Sequence, residues 1–249
     1  MLKVSATTNL AGVTISGDHS DFETLYDSLH EVVGDEGEYR GHAAARIRVL
    51  GVCYDIRHAL MGDREILFVD NGMDTEKMKR MGTITHDTNV YHSVQVLWPE
   101  MLFVLMALND FGRFHAQKLT KKRYDMMLDK PVIWDHNITQ MRLLQAEVAK
   151  CLQETVEGKT YSRMINMMIR DYTWLEDYAT QYLDVLNVRF LEMDRVKRLK
   201  NISIMAKRLT EKSDEYRSIQ KTVTETAREY NCNPADIRLK LEYPEQIDW

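Results

Sequence analysis

The alternation of apolar and polar positions assigns elements along the chain before any motif does. Leu2, Val4 and Ala6 alternate with polar neighbours, as do Val13 and Ile15, and Asn9 to Gly12 between them is turn material, so the chain opens on a β-hairpin. Phe22, Leu25, Tyr26, Leu29 and Val33 then recur at helical spacing behind the capping-box sequence Ser20-Asp21-Phe22-Glu23, and Gly34 ends that helix. A second helix is predicted from Ala43 to Met61, stopped by Gly62, and a strand from Glu65 to Val69. A short helix, Glu76 to Met81, follows an Asp74 cap. Two more strands are expected at Thr83–Thr85 and Val90–Val96, joined through His86-Asp87-Thr88-Asn89.

The pattern changes at Trp98-Pro99-Glu100. Proline at the first helical position and a glutamate at the positive end of the helix dipole start a helix that runs to about Lys118. From Met101 to Leu108 it is apolar on every side, which predicts a central, buried helix. Ile138, Met141, Leu144, Val148, Leu152 and Val156 form an amphipathic helix ending at Gly158. Tyr161, Ile165, Met168, Tyr172, Leu175, Ala179, Tyr182 and Leu186 then step by fours and threes as a heptad seam, which Ile202, Met205, Leu209, Tyr216, Ile219, Val223 and Tyr230 repeat. Two long helices packed as an antiparallel hairpin follow from this, broken between Asn187 and Asn201 with Asp194 as N-cap. Asn233-Pro234 caps a last short helix. The expected fold is α+β and predominantly helical. A small, mostly antiparallel N-terminal sheet with two helices (residues 1–98) is joined by the central helix to a C-terminal helical bundle (residues 99–249), as one integrated fold.

Composition narrows the class. Ten of the eleven glycines lie at or before Gly112, which separates a turn-rich half from a helical one. Three cysteines, odd in number and far apart, suit reduced thiols and a cytoplasmic setting. The longest apolar run is far short of a membrane span, and no signal-peptide core precedes Val4. A net charge of −5 gives no global attraction to a phosphate backbone.

Chemistry-bearing motifs are sparse. The P-loop, dinucleotide-turn, zinc-protease, CxxC and serine-elbow signatures do not occur, so no cofactor is expected. All eight histidines precede the long hairpin, which leaves its helices none to give a ferritin-like dimetal site. Asp27 with His30 and Asp55 with His58 each place a carboxylate and an imidazole on one helix face. That pairing is a metal or acid–base candidate if the helices meet, although i,i+3 surface pairs account for it more simply. Asp70, Asp74, His86, Asp87 and His92 offer a second, oxygen-rich metal candidate, which ordinary turn and cap chemistry also explains. Arg80 and His86 have a ribonuclease-like spacing, but Gly82 and Thr-Ile-Thr lie between them.

Basic residues cluster twice. Lys118, Lys121, Lys122 and Arg123 follow the central helix, and Arg195, Lys197 and Arg198 open the last long one. Brought together, they would form an anion site for a nucleotide, RNA or an acidic protein. Fifteen methionines suit either an adaptable binding surface or core filling, and helical spacing favours the core.

Residues 7–18, Thr-Thr-Asn-Leu-Ala-Gly-Val-Thr-Ile-Ser-Gly-Asp, and 97–103, Leu-Trp-Pro-Glu-Met-Leu-Phe, resemble an uncharacterised family of bacterial proteins. The resemblance implies a bacterial cytoplasmic origin and carries no activity or site residues. Three function classes follow. The first is a non-enzymatic regulatory or interaction protein whose helical surfaces bind a protein or, as a homodimer, itself. The second binds or processes nucleotides or RNA through the basic clusters, and the third is a metal-assisted enzyme using the N-terminal His and Asp residues.

Overall fold

The computed structural model describes residues 1–120, 128–169 and 175–249. Strands β1 (Lys3–Ala6), β2 (Gly12–Gly17), β3 (Ile66–Asp70) and β4 (Thr88–Leu97) form an antiparallel sheet in the order β1-β2-β4-β3. Val13 pairs with Val96 and Ile15 with Val94, so these four buried side chains share one face. Helices α1 (His19–Val33) and α2 (Ala43–Leu60) pack on that side and against each other. The cap of α1 lies two residues before the expected Ser20. The Asp18 carboxylate accepts from the Asp21 N–H at 2.9 Å and the Asp21 carboxylate from the Asp18 N–H at 3.0 Å, an acidic version of the same reciprocal device.

Thr83 to Thr85 do not form a strand. β3 already occupies the edge of β4 on that side, pairing Ile66 with His92 and Asp70 with Thr88, and the Asn71 N–H to Asp87 carbonyl bond closes the ribbon. The residues between make an excursion that holds α3 (Thr75–Met81), whose N-cap Asp74 accepts from the Lys77 N–H.

β4 runs directly into α4 (Trp98–Leu119), whose first N–H bonds the Ala11 carbonyl at 3.1 Å. Met101 to Leu108 are buried without exception, as expected of a helix apolar all round. α4 touches the sheet, α1 and α2 in one direction. In the other it touches α6 (His136–Thr155), α8 (Gln181–Leu191) and α9 (Arg195–Thr210), with the short α5 (Lys130–Ile133) near its end. α6 also returns to pack on α1 and β1, so one contiguous core runs from Leu2 to Tyr216. Among the described residues no helix is long and apolar enough to cross a membrane.

The long hairpin is the main correction. In place of two long helices there are α7 (Gly158–Met168), α8, α9 and α10 (Asp214–Tyr230). The first seam breaks because other elements bond the backbone of residues 175–179. The Leu175 N–H donates to the Asp110 carboxylate, the Asp177 N–H to the Gly41 carbonyl and the Ala179 N–H to the Tyr216 hydroxyl, and Asp177 is left-handed at φ 50°. The second breaks at Ser213, which caps α10 ahead of Asp214 and Glu215. Asp194 caps α9 as expected. The seam residues Tyr182, Leu186, Ile202, Met205, Leu209 and Tyr216 are buried within the single chain, whereas Tyr230 at the end of the seam is exposed.

Two glycines test the packing. A Cβ on Gly12 would overlap the Val96 carbonyl of the neighbouring strand, whereas one on Gly112 would meet the far end of the flexible Met141 side chain at 2.6 Å. Gly12→Ala is therefore expected to cost about 2–3 kcal/mol, read as a lower melting temperature, while Gly112→Ala stays within about 1 kcal/mol of wild type. Equal melting of both variants would contradict the strand contact.

Candidate functional site

Among the described residues the structure does not gather the basic candidates. Lys118 pairs with Glu38 at 2.7 Å at the C-terminal end of α4. Arg195 donates to the Thr8 carbonyl, beside the loop that meets the other end of α4. These ends are about 30 Å apart at helical rise. Lys197 pairs with Asp194 at 3.6 Å, and Lys121, Lys122 and Arg123 lie outside the described residues. Arg198 is buried, and its guanidinium donates to four carbonyls, those of Phe190, Leu191, Asn9 and Asp248. It caps the C-terminal end of α8 and ties the first turn to the C-terminal segment, so none of its charge is turned outward to an anion.

The metal candidates also stay apart. The His30 ring lies tilted against Tyr26, and burial together with nearby Arg46 lowers its pKa, an arrangement hostile to a further cation. His58 bonds Asp63 at 3.1 Å and Asp55 bonds Arg64 at 2.8 Å. Positions 46 and 58 are about 18 Å apart along α2. Asp70 accepts from the Gly72 N–H, and Asp74 serves as a cap. Among the described residues no three His, Cys, Asp or Glu side chains converge as a metal site.

A polar junction that sequence reasoning missed lies where α2, α4 and α8 meet. The Arg48 guanidinium donates to Asp184 at 2.8 Å, to the Thr180 carbonyl at 3.1 Å and to Glu100 at 3.4 Å. Asn187 donates to the same Glu100 oxygen at 2.8 Å. Burial raises the Glu100 pKa against the pull of Arg48. For Arg48 itself burial is outweighed by Asp184 and Glu100, so its pKa is raised. Beside the junction is a cleft of about 400 Å³, lined by Arg48, Glu100, Asp184, Gln181 and Arg238. Arg48, Glu100 and Asp184 in its wall are bonded to one another, which makes the place a clamp between helices. One signal was legible: Glu100 is the lone charge in the run from Trp98 to Leu108, and such a charge needs a partner. Arg48→Met leaves two adjacent carboxylates without their cation, and a loss of about 3 kcal/mol is expected. Adding Glu100→Gln and Asp184→Asn should recover at least half of the lost melting temperature. Absence of recovery would assign the loss to packing alone.

A second polar pair lies at the far end of α4. His42 is buried, its Nδ1 donating to the Arg40 carbonyl at 3.1 Å and its Nε2 standing 3.4 Å from Asp110, so both ring nitrogens are turned inward. Burial pulls its pKa down, but Asp110, the Arg40 carbonyl and the charge of Glu176 outweigh it, and the net direction is up. A pKa raised on folding contributes stability that is whole below the unfolded value of about 6.5 and is lost as pH climbs through the folded value. Between about pH 6.5 and 8 the melting temperature of wild type should fall relative to that of His42→Gln, measured by scanning calorimetry. Parallel curves would show that His42 does not couple folding to protonation.

One exposed feature among the described residues is an arm. From residue 61 to residue 90, through β3, α3 and the start of β4, no residue is buried. Six large apolar side chains are open to water there, Met61 at its start among them. Phe68 is 73% exposed and Ile84 98%, with Ile66, Met81 and Val90 alongside. The sequence signal was the unbroken run Ile66-Leu67-Phe68-Val69, which lacks the polar alternation of a strand with a solvent face. By contrast Met101, Met106, Met141, Met164, Met168 and Met205 are core residues.

No curated protein and no solved structure matches the chain. The model of one family, a domain of unknown function designated DUF6904, matches residues 2–249, and the chain belongs to that family.

Proposed function

We propose that this protein is a non-enzymatic interaction protein of the bacterial cytoplasm that docks through the arm of residues 61–90. The observation that carries the reading is the apolar surface of that arm. Exposed apolar area costs about 25 cal/mol per Å² relative to burial, and apolar side chains held open along a single ribbon mark a contact surface. A two-stranded ribbon with uncovered apolar side chains is marginal in water, so a partner that covers it stabilises both. The free thiols Cys53, Cys151 and Cys232 fit a reducing compartment.

A Phe68→Lys/Ile84→Lys variant tests this. Both positions are exposed, so the melting temperature should stay within about 2 °C of wild type. Association, read by light scattering as mass above the 29.2 kDa chain, should collapse to the single chain. A wild type that remains at 29.2 kDa with nothing bound at tens of micromolar would refute the docking role.

A further inference from the structure

We infer that the arm's partner is a second copy of this chain, and that the two copies join edge to edge through β3, extending two four-stranded sheets into one of eight strands. This rests on the reading of the arm as the docking element and names what occupies it. β3 is an edge of the sheet. The opposite edge, β1, carries Lys3 and packs against α6, the usual protections against pairing with another chain. β3, Ile-Leu-Phe-Val-Asp, has neither lysine nor proline, and none of its residues is buried.

The ladder shows which backbone groups are open. The Ser93 N–H donates to the Glu65 carbonyl and the Asn71 N–H to the Asp87 carbonyl, so odd-numbered residues of this strand bond β4. Antiparallel alternation then leaves the N–H and C=O of Ile66, Phe68 and Asp70 pointing outward. Ile66 and Phe68 lie opposite His92 and Val90, on the face that Val94 and Val96 turn to the core. The core face of the sheet therefore continues past its helical cover onto β3 and stops, unfinished, at the edge.

The strand complements itself. Laid antiparallel to its own copy about Leu67, Ile66 meets the partner's Phe68, and Arg64 meets the partner's Asp70. The two-fold axis repeats both pairs. All four residues fall on the open face, and the pairs that exchange hydrogen bonds are the outward, even-numbered ones. Arg64 bonds Asp55 through one terminal nitrogen and the Asp63 carbonyl through the other, which uses two of its five N–H donors, and Asp70 accepts from Gly72 through one oxygen, so each retains capacity for the other. Apolar side chains of Val90, Phe68 and the partner's Ile66 then form one stripe across the joined sheets.

Cross-linking tests the register. Leu67 falls on the axis in a non-hydrogen-bonded pair, where Cα atoms approach to about 4.5 Å, within disulfide reach. In a Cys232→Ser background, Leu67→Cys is expected to form a covalent dimer under mild oxidation, and Val69→Cys, opposite Glu65, is not. Arg64→Glu or Asp70→Arg alone should weaken dimerisation roughly tenfold, and the double reversal should restore it to within about threefold. Arm-dependent association without selective Leu67→Cys cross-linking and without charge rescue would overturn strand pairing while leaving the docking role of the arm. A wild type at 29.2 kDa under all conditions would overturn both.

Discussion

A helix with no polar face has to be enclosed, and α4 imposes that requirement on the rest of the chain. Its residues from Met101 to Leu108 are buried on all sides, so the sheet with α1 and α2 covers one flank while α6, α8 and α9 cover the other. Neither layer completes a core without it. Burial of eight consecutive apolar side chains is the largest single source of hydrophobic stabilisation that any one stretch of this chain supplies. It also explains where the charges went. Glu100, held in the first turn of an enclosed helix, draws Arg48 from α2 and Asn187 from α8, and the arginine in turn draws Asp184. A pair of layers joined at one end by apolar contact is thereby given a fixed orientation by hydrogen bonds with directional demands.

The same logic governs the backbone. Leu175, Tyr178 and Ala179 are buried without being helical, on either side of the exposed Glu176 and Asp177, and the N–H groups of this segment need acceptors outside a helix. Asp110 of α4, the Gly41 carbonyl and the Tyr216 hydroxyl of α10 supply them. Arg198 does the converse for orphan acceptors, serving the last carbonyls of α8, the β1–β2 turn and the C-terminal segment at once. A residue placed by its charge among anion-binding candidates thus acts as a donor to backbone oxygens, and its burial in the chain's own contacts removes it from solvent.

The arm stands outside this economy. Its strands continue the core face of the sheet, yet the helices that cover Val94 and Val96 do not reach Phe68 and Ile66. The molecule therefore has an apolar edge with open backbone groups, next to a body built around a contiguous buried core. That contrast, more than any catalytic constellation, distinguishes its surface.

Local pattern was enough to determine the hairpin at the N-terminus, α1, α2, the buried α4, the amphipathic α6, the Asp74 and Asp194 caps and the α+β class. In each, neighbours within a few residues in sequence supply the period, the cap or the stop. The heptad seams misled because Tyr161 to Leu186 satisfies a helical period, while hydrogen bonds from residues 65 and 37 positions away hold the backbone at Leu175 and Ala179 in another shape. Lys118 and Arg195, from the two basic clusters, stand at opposite ends of α4, and the aspartate–histidine pairs are separated by the length of α2. The destination of each charge, the junction at Arg48 and the uncovered edge of β3 were decided only by tertiary structure. Each depends on which surface another element happens to cover, and a one-dimensional pattern of polarity does not encode that.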